Sequence, residues 1–377
     1  MHKITFFPLG NADTCRIILE NGKRILFDYA DMKDPEDDDD LRCDLPALIR
    51  EDLDEAGRKF FDVVAFTHLD EDHYKGASEF FWLEHDSKYQ SKDRVKIKTM
   101  WVPAAVITEE GTENEEGKIV RREARYRFKE GKGIRVFSRP ERLRKWCEKN
   151  KIDFESRKGV ITDAGQLAPE FSKSNDGVEF FVHSPFAKRL NEREVEDRND
   201  DALVMQATFQ VEGVETKVLL MSDISHEVIA DIVEITRDKK KRADRLEWDI
   251  VKISHHCSYK AIGPEKGDDQ TVPVENVKWL YTKQQQVGAF MVSTSKFIPK
   301  KGTTEDEDPC PPHRQAANYY KSVLVLPATK WLVTMEHPKQ SGPKPIEFEI
   351  GRTKANLKKV AASAGFVATE RTPPRAA

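Results

Sequence analysis

The chain reads as a succession of short apolar runs, each closed by a polar or turn-forming residue. Lys3–Phe7, Thr14–Leu19 and Arg24–Asp28 have the length and alternation of short strands, with Asn21-Gly22 as a hairpin turn. The run Val63-Val64-Ala65-Phe66, bracketed by Asp62 and Thr67, predicts a buried strand. Val95–Val102, Glu179–Val182, Lys217–Met221, Asp249–Ile253, Val287–Val292 and Trp331–Met335 predict further strands. Helices are expected over Leu45–Leu53, over Pro140–Asn150 with proline in the first turn, over Ser225–Asp238 with Ser225 as N-cap, and over Gln315–Val325. Strands interleaved with helices give an α/β chain without internal repeats.

The residues that close the strands carry the chemistry. After Val63–Phe66 comes His68-Leu69-Asp70-Glu71-Asp72-His73, with His68, Asp70, Asp72 and His73 as potential metal ligands. Buried imidazoles and carboxylates are costly unless paired or bound to metal, so this segment makes a poor core and a good metal site. A solvated acidic turn is the alternative in a chain that is 34% charged. Three more strand ends weigh against it. His183 follows Glu179–Val182, Asp223 follows Lys217–Met221, and His255-His256 follow Asp249–Ile253. Layered α/β sheets gather their sites at such ends.

Composition narrows the setting. A chain of 377 residues has room for one large or two ordinary domains, and 38% apolar residues suffice for a substantial core. No apolar run approaches the ~20 residues of a membrane span, so no membrane partner is expected. Met1–Leu19 carries Asp13 and Arg16 and reads as a strand pair, not as a signal peptide. Five widely spaced cysteines argue against a disulfide framework and point to a reduced, cytoplasmic setting.

Net charge is only −4, but it is unevenly spread. Residues 118–158 hold sixteen Lys or Arg against six Asp or Glu, interleaved with Tyr126, Phe128, Phe137, Trp146 and Phe154. Such a pattern suits a surface that tracks a phosphate backbone and stacks bases, with Arg121, Arg122, Arg125, Arg127, Arg142, Arg144 and Lys145 as contacts. It equally suits a solvated helical face whose aromatics serve a local core.

Taken in order, these residues resemble the metallo-β-lactamase fold superfamily, and within it the ComEC-like, DNA-uptake type of domain. The superfamily's H-x-H-x-D-H motif is similar to His68–His73, with Asp70 in place of the second histidine. Gly10-Asn11-Ala12-Asp13-Thr14 is similar to an early G-Q-G-D-A turn, and Asp28 stands where a strand-ending aspartate is expected. His183-Ser184-Pro185 resembles an H-P element, and Asn199 to Val204 an N-x-x-S-L-V strand start. Met221-Ser222-Asp223 resembles T-G-D, and His255-His256-Cys257-Ser258 resembles H-H-G-S, with Cys257 for glycine. The likeness covers about residues 1–351, apart from an insertion at about 78–177, and leaves 352–377 as a basic, flexible tail.

The resemblance implies an αββα sandwich with a basic insertion, and a metal-dependent hydrolase with two divalent ions, zinc first and manganese as the alternative. His68, Asp70 and His183 would hold one ion; Asp72, His73 and His256 the other; Asp223 would bridge. Asp28 would orient a ligand by hydrogen bond. The resemblance does not decide between His255 and His256; we assign His256 as ligand and His255 to substrate contact or proton donation. Two such ions supply hydroxide near neutral pH, so Asp72 and His255 are the expected catalytic groups. Asp70 adds a hard oxygen ligand, which makes Mn²⁺ more competitive. A phosphodiesterase or nuclease acting on nucleic acid is the leading expectation. The alternatives are a small-molecule phosphoester or lactone hydrolase, and a nucleic-acid-binding or complex-forming subunit with structural metals. His2, His85, His226, His313 and His337 are expected to be surface or packing residues, and Cys257 a bystander.

Overall fold

A computed structural model of the chain describes residues 1–109, 114–137, 140–186 and 201–360. Two sheets are stacked face to face. The first runs β16 (Lys354–Leu357), β15 (Ile346–Gly351), β1 (His2–Phe6), β2 (Cys15–Ile18), β3 (Arg24–Phe27), β4 (Phe60–Ala65), β6 (Val95–Pro103), β7 (Ile134–Phe137) and β8 (Ile161–Thr162), with the short β5 (Phe81–Trp82) also pairing with β6. The second runs β14 (Trp331–Val333), β13 (Gln285–Ser293), β12 (Trp248–Lys252), β11 (Val214–Leu220), β10 (Val204–Val211) and β9 (Val178–Ser184).

Alternation along the strands decides what the sheets bury between them. Ile4, Phe6, Ile17, Ile25, Val63 and Trp101 from the first sheet share one core with Phe180, Val182, Met205, Val218, Ile250 and Val292 from the second. Trp101 is its hub, edge-on to Phe27, Phe137, Phe171 and Phe180. Burying each such large side chain contributes about 1.5–3 kcal/mol. The outer faces are covered by helices: Leu45–Glu55, Glu115–Glu130 and Pro140–Lys149 on the first sheet, and His226–Val233, Glu275–Lys283 and Arg314–Val323 on the second. Helix, sheet, sheet, helix is the αββα order expected.

Residues 78–177 supply β6, β7 and β8, which extend the first sheet in parallel from β4. The tail starts later than 352: β16 pairs with β15, and residues 361–377 lie outside the described residues. Phe128, Phe137, Trp146 and Phe154 are buried, so these aromatics serve the core and present no stacking platform.

The helix Glu115–Glu130 shows why. Asn114 caps it by accepting from the Gly117 amide, and Gly131 ends it at φ 68°. Gly117, Val120, Ala124 and Phe128 recur at helical spacing and turn inward, and Arg121 and Arg127 lie on the same buried side. Among the described residues no helix is long and apolar enough to cross a membrane.

Candidate metal centre

Parallel strands end at a common edge, and here that edge collects the polar groups. β3 and β4 run parallel in the first sheet, and β11, β12 and β13 in the second. Asp28 follows β3, His68–His73 follow β4, Asp223 follows β11, His256 follows β12 and Thr294 follows β13. The backbone is bent to deliver them. Asp28 has φ 57°, and His255, His256 and Cys257 have φ 52°, 49° and 67°. Left-handed conformations at non-glycine residues cost about 1–2 kcal/mol each. Such strain gathers where the position of a side chain matters.

Asp72, His73, Asp223 and His256 converge, each offering a donor atom within 4.8 Å of the others. His256 Nε2 lies 2.9 Å from Asp72 Oδ2 and 3.1 Å from Asp223 Oδ2. His73 Nε2 lies 3.6 Å from Asp223 Oδ2 and 3.9 Å from Asp72 Oδ2. The far nitrogens are anchored. His73 Nδ1 donates to Asp28 Oδ2 at 2.9 Å, and His256 Nδ1 donates to the Thr294 carbonyl at 2.7 Å. Both imidazoles therefore keep the Nδ1–H form, with Nε2 turned to the carboxylates. Asp28 is locked in turn by the Thr67 amide at 2.7 Å and hydroxyl at 2.8 Å. Asp28 thereby orients the His73 ring by hydrogen bond.

His68 stands beside this group, its ring centroid 3.9 Å from that of His73 and its Nε2 3.6 Å from Asp70 Oδ2. His183 does not join. Phe180 and Val182 point into the inter-sheet core, so His183 takes the outer face of β9. There its Nε2 donates to the Arg245 carbonyl at 2.9 Å and its Nδ1 lies 3.4 Å from Thr236 Oγ1. The assignment of His183 as a metal ligand is corrected: it is a satisfied packing histidine. His255 is half-buried, its ring 6.4 Å from that of His256, and stays outside the cluster. The two adjacent histidines thus separate, with His256 inside.

Electrostatics describe a centre prepared for cations. Burial opposes charge on His73, yet Asp28, Asp72 and Asp223 outweigh it and raise its pKa well above the ordinary value. Burial likewise opposes charge on His256, and Asp223 and Asp72 overcome it. Burial would raise the pKa of Asp223, but His256 and His73 hold it well below the carboxylate range. His68 differs: burial holds it down to about 4, so it is a neutral base near pH 7. In the metal-free protein, protons on two imidazoles offset the carboxylates. The donor set fits a divalent ion replacing those protons. His68 Nε2, His73 Nε2 and Asp223 Oδ1 are buried without a hydrogen-bond partner, a condition that coordination relieves.

Lys252 and the Thr294 carbonyl escaped the sequence reading, which met Asp13 only within the Gly10–Thr14 turn. Lys252 and Asp13 form a close buried ion pair behind the cluster, with Asp13 Oδ2 4.0 Å from His73 Nδ1. The trace in the sequence was a lysine in the apolar strand Trp248–Lys252. Thr294 acts through its carbonyl, which leaves no trace.

The basic segment is mostly structural. Arg127 is fully buried, its Nε 2.6 Å from Glu123 and its Nη1 donating to the carbonyls of Ile97 and Gly133. Arg121 is buried and lines a small cavity with His68, Asp201 and Glu109. Arg125 donates to the Ile107 and Glu109 carbonyls, and Arg142 Nη1 lies 3.5 Å from the Glu109 carboxylate. As nucleic-acid contacts these four are corrected to packing and local pairing. Arg122, Arg144 and Lys145 remain exposed.

No family model matches the chain, and no curated protein matches it. Among solved structures the chain is similar to unliganded yeast PDE1, with TM-score 0.41, 10% identity, and coverage of 88% of this chain and 96% of that one. It is similar to a metal-dependent hydrolase of the β-lactamase superfamily, with TM-score 0.39, 10% identity, and coverage of 88% and 95%. It is also similar to a diphosphatase from the PhnP family, with TM-score 0.36, 10% identity, and coverage of 95% and 100%.

Proposed function

We propose that the protein is a metal-dependent phosphoester hydrolase of the metallo-β-lactamase type, in the branch that the His68–His73 variant resembles. The observation that carries this reading is the convergence of Asp72, His73, Asp223 and His256, with buried nitrogens and an oxygen that lack hydrogen bonds. Divalent ions held there supply Lewis acidity and a water nucleophile available near neutral pH. The chain's own residues do the rest. Asp28 and the Thr294 carbonyl fix the His73 and His256 rings, so that little reorganisation accompanies the reaction. The Asp13–Lys252 pair closes the back of the centre, with its Asp13 carboxylate 4.0 Å from the Nδ1 atoms of His73 and His256. We assign His255, next to His256 in the chain and half-buried, to meet the leaving oxygen.

Nucleic acid remains within this reading as a polymeric phosphodiester, with Arg122, Arg144 and Lys145 among the exposed basic groups. The test is hydrolysis of bis(p-nitrophenyl) phosphate, small phosphomonoesters, single- and double-stranded DNA, and RNA, each with Zn²⁺ or Mn²⁺. Hydrolysis of the small diester that stops on chelation is the expected result. Cleavage of polymer, weakened about tenfold or less by replacing all three exposed basic residues with alanine, would extend the reading to a nuclease. Activity that survives exhaustive chelation would remove it.

A further inference from the structure

The two expected ion positions are unequal. At the inner one, four side chains present donors within 4.8 Å of one another. Both of its imidazoles are braced from behind, by Asp28 at 2.9 Å and by the Thr294 carbonyl at 2.7 Å. Three of its four groups are withdrawn from solvent, with side-chain exposure of 0% for His73, 3% for His256 and 5% for Asp223, while Asp72 is 30% exposed.

At the outer position the structure supplies His68 and Asp70, 3.6 Å apart. The Asp70 side chain is 39% exposed. Behind His68 stand two hydroxyls, Thr67 Oγ1 at 3.2 Å and Ser222 Oγ at 3.3 Å, which rotate and brace less firmly than a carboxylate. The expected third ligand, His183, is engaged by the Arg245 carbonyl on the opposite face of its strand. Asp223 Oδ2 faces His73 and His256, which leaves Oδ1, buried and without a hydrogen bond, as the oxygen to share with a second ion. Among the described residues no group of three converging ligands includes His68.

We propose that divalent cations bind this centre in two unequal steps: one ion held firmly by Asp72, His73, Asp223 and His256, and a second, exchangeable ion at His68 and Asp70. The proposal rests on the metallohydrolase reading and adds a regulatory property to it. The inner ion is a resident of the fold. The outer one keeps water in its remaining positions, so its occupancy follows the free metal concentration and activity saturates with added metal well after the first ion is bound. His183 takes no part in either step.

The experiment is a calorimetric titration of the metal-stripped full-length protein with Zn²⁺, with elemental analysis after desalting. Two steps separated by about 100-fold or more in affinity are expected, with one equivalent retained on desalting. His68→Ala removes the weak step and spares the tight one. His183→Ala, with its fold verified by circular dichroism, leaves both unchanged. Two equivalents of equal affinity, or loss of a step in His183→Ala, overturns the proposal and leaves the metallohydrolase reading standing. Absence of any Zn²⁺ binding overturns both. His256→Ala should lose the tight step; should that variant not fold, the His68 and His183 variants decide.

Discussion

The strand-end centre and the basic segment 118–158 both concentrate charge, and they treat it in opposite ways. In the centre, buried donors and acceptors are brought close and left without hydrogen bonds: His68 Nε2, His73 Nε2 and Asp223 Oδ1. In the segment, the buried carboxylate of Glu123 accepts from the Glu84 and His85 amides, from His85 Nδ1 and from Arg127 Nε. The first arrangement is unstable unless something else arrives. The second pairs its carboxylate within the chain, although Arg127 Nη2 is also buried without a hydrogen bond, 3.6 Å from the Glu84 carboxylate. Buried polar atoms without hydrogen bonds occur in both regions, so what sets the centre apart is that its donors converge within 4.8 Å of one another; residue type alone does not separate the two cases.

The sharpest break of this comparison removes one group from each side. Asp223→Ala takes away the carboxylate shared by both proposed ion positions, and phosphodiester hydrolysis should fall on the order of 10³-fold or more, read as kcat/KM at saturating metal. Stability of the metal-free protein should also fall, because His73 and His256 lose a buried carboxylate that holds their protons. Arg127→Ala should lower stability and spare the site. It leaves the Glu123 carboxylate buried without its cation, which costs about 3–5 kcal/mol, read as a lower denaturant midpoint. Stoichiometric Zn²⁺ binding by the folded variant should persist. If Arg127→Ala instead lost metal at unchanged stability, the segment would belong to the site and the contrast would fail.

The sequence was most legible where structure is local. An apolar run closed by His, Asp or Ser marks a strand end, and β4, β11 and β12 end as that pattern predicts. It was least legible where parity or distance decides. Glu179-Phe180-Phe181-Val182-His183 carries apolar residues on both faces, so its alternation did not reveal which way His183 points; the inter-sheet core claims Phe180 and Val182 and sends it outward. Arg121 and Arg127 resemble surface charges until they are placed on the helix, beside the inward row Val120, Ala124 and Phe128. Asp13 and Lys252 meet across 239 positions of sequence, beyond the reach of any local pattern. Asn199, part of the resemblance, lies outside the described residues.

His183 sharpens the comparison through pH. It is fully buried, its Nε2 proton is committed to the Arg245 carbonyl, and burial holds its pKa down to about 4 against an ordinary 6.5. The unfolded chain therefore takes up this proton below about pH 6.5, while the native state resists until about pH 4. Between these values the unfolded state binds more protons, so stability falls as the medium is acidified through the window and is fully present above it. The contribution of this one group is at most roughly 3 kcal/mol. His183→Gln keeps an amide donor for the Arg245 carbonyl and removes the titration. Urea midpoints measured from pH 7 to pH 4 should fall less steeply in the variant than in the parent, with Zn²⁺ binding at pH 7 unaltered. Equal slopes for the two proteins would mean that His183 titrates normally, and with it would go the claim that this strand end, unlike the other three, is closed by packing alone.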